Sequence, residues 1–173
     1  MPAKLSIELR PMTPEFIEAV LAGRRDEAAK AIGAELPEGY PQEGQRRFLE
    51  LRLGQMRKDE RFLVWCPHAV LAGGRMVGGA GYHGPPGVNG LKKPGAVEFG
   101  YEIEPAHRGR GYATAAAERL IELAAERGVN QFVLSCGPQN EPSLAIIRKL
   151  GFVHVGEVMD DEDGLELVFE RGL

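Results

Sequence analysis

Cysteine is scarce in this sequence. There are two, Cys66 and Cys136, with no Cys-x-x-Cys pair. The histidines stand apart at 68, 83, 107 and 154. That pattern does not supply a zinc set, so no metal is expected and the thiols read as reduced structural groups. An excess of positive charge is missing too. Lys and Arg number 21 against 25 Asp and Glu, a net charge of −4. Nucleic-acid binders concentrate basic residues, so nucleic acid is not the expected partner, and a membrane-surface role is equally disfavoured. Long apolar runs are absent. Gly, Pro or charge interrupts each one well before the ~20 residues a membrane span requires. Met1–Arg10 lacks the apolar stretch of a secretory signal, and a cytoplasmic location is the expectation. No internal repeat, low-complexity run or linker is visible. The 173 residues suit one domain spanning 1–173, long enough to bury about 70% of its unfolded surface without disulfides.

What is present is a regular alternation of strand and helix signals. Leu5–Arg10 alternates apolar and polar, as a half-buried strand does. Thr13-Pro14 is a helix start, a hydroxyl cap followed by proline at the first helical position. Further helical patterns run over residues 24–35 and 42–60. Two strand-like runs, 68–72 and 76–82, flank Gly73-Gly74, the signature of a tight hairpin. A Pro/Gly-rich loop follows from Gly84 to Gly95. Val97–Ile103 then has period two, with Val97, Phe99, Tyr101 and Ile103 on one face and Glu98 and Glu102 on the other. Ala113, Ala116, Ala117, Leu120, Ile121 and Ala124 form the apolar stripe of a strong helix, closed by Gly128. A strand at 131–135, a helix capped by Asn140 and stopped by Gly151, and two closing strands at 152–156 and 165–169 complete the chain. The acidic turn Asp160–Gly164 joins the last two. One mixed sheet with helices on both faces satisfies this order.

The segment His107-Arg108-Gly109-Arg110-Gly111-Tyr112-Ala113 carries the chemistry. Strand, Gly-rich turn, helix is an anion-binding arrangement. The first helical turn has unpaired N–H groups at a positive dipole end, and glycines let successive N–H groups face one concavity. Arg108 and Arg110 add positive charge. Two known phosphate motifs do not fit. The dinucleotide fingerprint needs a third glycine where Thr114 stands, and the Gly-Lys-Ser/Thr of P-loops is absent. The chain instead resembles the GCN5-related N-acetyltransferases, which carry Arg/Gln-x-x-Gly-x-Gly/Ala at this place. Arg108–Ala113 fits in register. The preceding strand Glu98–Ile103 and the closing half, Asn140-Glu141-Pro142-Ser143 with Arg148-Lys149-Leu150-Gly151-Phe152, are similar to the ribosomal-protein acetyltransferase-like branch. The resemblance is clear over residues 74–156.

The resemblance implies an acyl-CoA N-acyltransferase fold, an α/β (α+β) architecture with a mixed, mostly antiparallel sheet of about seven strands. It implies an acyl-CoA-dependent N-acetyltransferase with acetyl-CoA as cosubstrate, a small-molecule or peptide amine as acceptor, and a homodimer as an assembly state. The non-catalytic alternative is an acyl-CoA-binding sensor. The implied cofactor contacts are Arg108, Gly109, Arg110, Gly111, Tyr112 and Ala113 at the diphosphate. Ile103 is implied at a bulge near 103–105 where two strands splay, and Asn140 and Ser143 along the pantetheine or the sulfur. Glu98 is the expected base, with Glu102 sharing its face as second choice. The family's tyrosine acid, seven residues after the asparagine, is here Ile147, so Ser143 is the substitute acid. Tyr82 and His83 end a strand beside the Pro/Gly loop, where the acceptor pocket is expected; His107 precedes the phosphate turn; the acidic turn 160–163 is expected to border the acceptor site. Trp65 reads as core or interface.

Overall fold

The computed structural model describes residues 5–173; the reading of Met1–Arg10 rests in part on residues outside that range. Among the described residues seven strands form one sheet. They are β1 (Glu8–Pro11), β2 (Pro67–Ala72), β3 (Arg75–Tyr82), β4 (Val97–Ile103), β5 (Gln131–Cys136), β6 (Val153–Asp160) and β7 (Gly164–Gly172). The helices are α1 (Pro14–Leu21), α2 (Arg25–Ile32), α3 (Glu43–Lys58), α4 (Arg61–Val64), α5 (Tyr112–Glu126) and α6 (Glu141–Lys149), with a 3₁₀ turn at Pro105–His107. Sheet order is β1-β2-β3-β4-β5-β7-β6. Every adjacent pair is antiparallel except β4–β5, which is parallel. The mixed, mostly antiparallel sheet expected from the sequence is the one observed.

Local signals explain most boundaries. The Thr13 hydroxyl accepts from the Phe16 amide at 3.3 Å and opens α1. Gln42 and Gln45 form a reciprocal capping box at the start of α3. Gly73 and Gly74 have φ of 56° and 77°, the paired positive angles of a two-residue hairpin that side chains resist. The short α4 carries no distinct sequence signal and lies just beyond the helical pattern over residues 42–60. The closing strands are longer than expected, because only Asp161–Asp163 separates them.

Two cores lie on opposite faces of the sheet. On one, α1, α2 and α3 cover Ala69, Leu71 and Met76 with Phe16, Ile17, Ile32 and Leu49. On the other, α5 and α6 lay Leu120, Ile121, Leu144 and Ile147 over Val70, Val77, Ala80, Val97 and Phe99. The apolar stripe of α5 read from the sequence is the buried one. Val77, Ala80 and Tyr82 share a face despite their odd and even numbers. A register shift opposite Val70/Leu71 inserts one residue into β3 and resets the alternation.

The feature that positions the site is the parallel seam. β4 and β5 pair only at Val97–Phe132 and Glu98–Val133. Beyond Glu98 they diverge, so the β5-facing edge of β4 from Phe99 to Ile103 is left without a strand partner. The sequence reading placed this opening at a bulge near 103–105. It begins at Phe99 instead, and β4 stays in unbroken register with β3 up to Ile103. Divergence of two strands, not an inserted residue, makes the gap.

Candidate active site

The turn between β4 and α5 has the form its glycines imply. Gly109 and Gly111 have φ of 73° and 87°, and Gly111 serves as the α5 N-cap with no side-chain hydrogen bond to close the helix. The amides of Tyr112, Ala113 and Thr114 therefore lack intrahelical acceptors and stand at the positive end of a 15-residue helix. Arg110 is exposed beside them. Arg108 does different work. Its Nε donates to the Ile103 carbonyl at 2.9 Å, pinning the turn to the end of β4 and using a carbonyl that would otherwise belong to the open strand edge. His107 sets its ring against Tyr112, with centroids 6.5 Å apart.

The gap between β4 and β5 is a cavity of about 400 Å³. Ser135, Cys136, Asn140 and Ser143 line it from β5 and α6. Asn140 Oδ1 accepts from the Ser143 amide at 3.2 Å, capping α6, so its side-chain oxygen holds the helix start. Ser143 Oγ lies 3.0 Å from Tyr101 Oη. This contact crosses the gap and joins β4 to α6. Burial raises the Tyr101 phenol above its ordinary pKa, and the bond to Ser143 opposes that. Burial also raises the Cys136 thiol, with Ser143 again opposing. Ile147, which replaces the tyrosine of the family pattern, is fully buried.

A second cavity of about 400 Å³ lies on the other side of β4. It is lined by α3, the end of β3 and the acidic residues Glu102, Glu104 and Asp163. The two cavities share Gly100, Tyr101 and Asp163. Gly100 and Tyr101 are where they meet. Gln45 Nε2 donates to Glu104 at 2.9 Å. Tyr40 lines this cavity, and its phenol is pushed far up by burial and by Glu104 and Glu102. The acidic turn reaches both cavities through Asp163, while Asp160 accepts from the Glu162 and Asp163 amides at 2.8 and 2.9 Å and shapes the turn.

Glu98 is not where a solvent-facing base would be. It is 5% exposed and lines neither cavity. Its carboxylate accepts from Ser135 Oγ at 2.6 Å and from the Gly90 amide at 2.6 Å. His83 Nδ1 stands 3.6 Å away. His83 does open into the second cavity, with half of its side chain exposed. Tyr82 is a strut of the core: its hydroxyl donates to the Leu120 carbonyl at 2.6 Å, and Trp65 packs edge-on at 4.9 Å.

Three residues escaped the sequence reading. Tyr101 sits on the apolar face of β4, and its hydroxyl end is what reaches the gap. Glu166 of β7 lines the gap, its carboxyl held above the usual range by burial first, then by Asp160, Asp163 and Glu98. Arg52 is 4% exposed and ties α3 to the end of β3, donating to the carbonyls of His83 at 2.5 Å and Tyr82 and to Gln55 at 2.8 Å. Burial pushes its pKa down to about 10, so it remains a cation at neutral pH. A lone arginine among helical charges gave no signal of such a role.

An open parallel seam followed by a glycine turn and an uncapped helix defines a class, the acyl-CoA N-acyltransferase fold. The sequence profile of the acetyltransferase (GNAT) domain family matches residues 6–153, and the chain belongs to that family. An uncharacterized N-acetyltransferase of Bacillus subtilis (strain 168), YjdG, is 35% identical over 79 residues. That match covers 45% of this chain and 44% of the relative, so the chain aligns with less than half of the relative's length. Solved structures share the fold over nearly the whole length, among them two named for ribosomal proteins. The ribosomal L7/L12 alpha-N-protein acetyltransferase RimL in complex with coenzyme A has a TM-score of 0.66 at 18% identity, covering 99% of this chain and 97% of that one. The ribosomal-protein-alanine N-acetyltransferase of Brucella melitensis has a TM-score of 0.63 at 23% identity, covering 96% and 99%. Among the described residues no helix is long and apolar enough to cross a membrane.

Proposed function

We propose that this protein is an N-acetyltransferase that moves an acetyl group from acetyl-CoA to a primary amine by direct attack while both substrates are bound. The observation that carries the reading is the meeting of two cavities across one strand at Gly100–Tyr101. The gap side suits acetyl-CoA. The free amides at Tyr112–Thr114, the positive-φ glycines and Arg110 suit the diphosphate. The unpaired edge of β4 suits the pantetheine, which bonds to backbone as an added strand would. Asn140 holds the start of α6, and Ser143 borders the place where the sulfur would lie. The opposite cavity suits a cationic amine, because carboxylates from β4 and the hairpin tip face it.

Most of the rate enhancement would come from holding amine and thioester in line. The ammonium must first lose a proton, which costs a lysine-like amine roughly 4.6 kcal/mol at pH 7. The neutral nitrogen then attacks the carbonyl carbon, the carbon–sulfur bond breaks, and the thiolate takes a proton. Ser143 with Tyr101 is the proton source that the gap offers, and the Tyr101 phenol fills the chemical role that Ile147 cannot. A reducing, cytoplasmic setting fits the two free thiols, Cys66 and Cys136. Two of the solved structures that share the fold are named for ribosomal proteins as acceptors, which makes a protein or peptide amine the first acceptor to test.

The test is release of free thiol from acetyl-CoA in the presence of a panel of amines. Amine-dependent release is expected. Thermal stabilisation by CoA with no amine-dependent release from any acceptor would instead identify a binding module without chemistry and overturn the reading.

A further inference from the structure

We infer that His83, oriented by the buried Glu98 carboxylate, takes the proton from the acceptor ammonium at the junction of the two cavities. This rests on the acetyl-transfer reading above.

The backbone brings the pair together. The His83 amide donates to the Glu98 carbonyl at 2.8 Å, one step beyond the Tyr82–Phe99 pair of the β3–β4 ladder. Neighbours across a ladder point their side chains to the same face. Glu98 is fixed from both sides: Ser135 of β5 binds Oε1 and the Gly90 amide of the long loop binds Oε2, each at 2.6 Å. Oε1 is also the atom 3.6 Å from His83 Nδ1. A carboxylate held this way favours the tautomer with its proton on Nδ1 and leaves the lone pair on Nε2. Nε2 lies over Gly100, 3.3 Å from the position a Cβ would take there, and Gly100 lines both cavities. The lone pair is therefore at the crossing point, where Glu98 itself cannot reach. Glu98 is a positioning residue; His83 is the group that meets substrate. The glycine at 100 leaves this space free, since any side chain there would press on the ring.

The charged groups facing His83 are Glu98 from β4 and Arg52 from α3. Crowding by the cavity walls lowers the imidazole pKa, the Glu98 carboxylate raises it in part, and Arg52 lowers it. The protons balance. Of the three on the ammonium, one passes to Nε2 and on to water, one remains on the amide nitrogen, and one ends on the CoA sulfur.

Kinetics and ring NMR test this on the full chain. With acetyl-CoA and a peptide bearing a free N-terminus, His83→Gln is expected to lower kcat by roughly 10²–10³-fold at pH 7. KM for acetyl-CoA should stay within about twofold, since uniform binding of that substrate is untouched. The acid limb of the kcat–pH profile should vanish. Added imidazole should restore part of the rate to His83→Ala, which a structural role would not allow. Glu98→Gln should shift the acid limb to lower pH, since a raising charge is removed. The ¹⁵N spectrum of the ring should show Nδ1 protonated and Nε2 bare above the His83 pKa. A proton on Nε2 instead, an acid limb that survives in His83→Gln, or one that disappears only in Glu166→Gln each overturns the assignment. A wild-type protein without amine-dependent thiol release defeats the acetyl-transfer reading itself, and this inference falls with it.

Discussion

The two cavities flanking β4 are unlike in construction. The gap beside β5, with the turn that follows β4, offers backbone: an unpaired strand edge, first-turn amides and positive-φ glycines, joined by short hydroxyls at Ser135 and Ser143. The cavity on the other side is built from side chains of separate elements: Phe48 of α3, His83 at the end of β3, Glu102 of β4 and Asp163 of the hairpin. A site made of backbone recognises one invariant ligand and tolerates sequence change. A site made of converging side chains can be retuned without disturbing the fold. The family is therefore legible in this chain while the acceptor is not. The side proposed for the cosubstrate is written largely in contiguous runs of residues, and the side proposed for the acceptor is assembled from distant ones.

The comparison can be broken most severely at the turn. Gly111→Val should weaken CoA binding by about 100-fold or more in calorimetry, because the left-handed φ of 87° cannot be kept without strain of about 1–2 kcal/mol and the amides would turn away. No Cβ clash arises, the nearest atom being a Leu5 side-chain carbon at 3.8 Å, so the thermal midpoint should fall only by a few degrees, about 2–6 °C. Unchanged CoA affinity would remove the turn from the site. Next in size, Tyr101→Phe should lower kcat by roughly 10-fold while leaving the fold intact, as expected for loss of one proton-transfer partner; a stopped-flow thiol assay reads it, and an unaltered kcat would return Ser143 to the role alone.

On the acceptor side the effects should be milder and selective. Glu102→Gln is expected to raise KM for a cationic amine by about 3–10-fold, an effect that shrinks at high salt, with CoA affinity unaltered. Equal losses toward both substrates would mean that the two cavities are not separate recognition units. The smallest effect belongs to Glu166. Its folded pKa is raised, so the charged form is disfavoured in the native state at pH 7. Glu166→Gln should therefore raise the thermal midpoint slightly at neutral pH. The gain should close as the pH falls below the ordinary carboxylate range, where both states of the wild type are protonated. A gain that persists in acid would point to packing rather than charge.

Much of this arrangement was legible along the chain because it is local. The Gly73-Gly74 hairpin, the period-two strand Val97–Ile103, the α5 stripe and the Asn140 cap each depend on residues within a few positions, and each formed where the pattern placed it. The site resisted where contacts are long-range. The Tyr101–Ser143 bond spans 42 residues, and no periodicity announces that a tyrosine on an apolar strand face will cross a gap to a helix start. Glu98 was placed on the correct face. Its burial, however, depends on Ser135 and Gly90 closing over it, which only the tertiary register decides. The bulge expected near residues 103–105 was a local guess about a non-local event, because the divergence of β4 from β5 is set by how each strand is held on its other side. Arg52 became a strut for the same reason: its partners are carbonyls of another element, and carbonyls leave no trace in composition.

The most direct measurement is a crystal structure with coenzyme A bound. The account predicts the diphosphate on the amides of Tyr112–Thr114, the pantetheine along the Phe99–Ile103 edge, and the sulfur beside Ser143 and Tyr101, with the cavity of His83 and Glu102 still open beyond it. Coenzyme A seated elsewhere, or a vacant turn at saturating ligand, would contradict it.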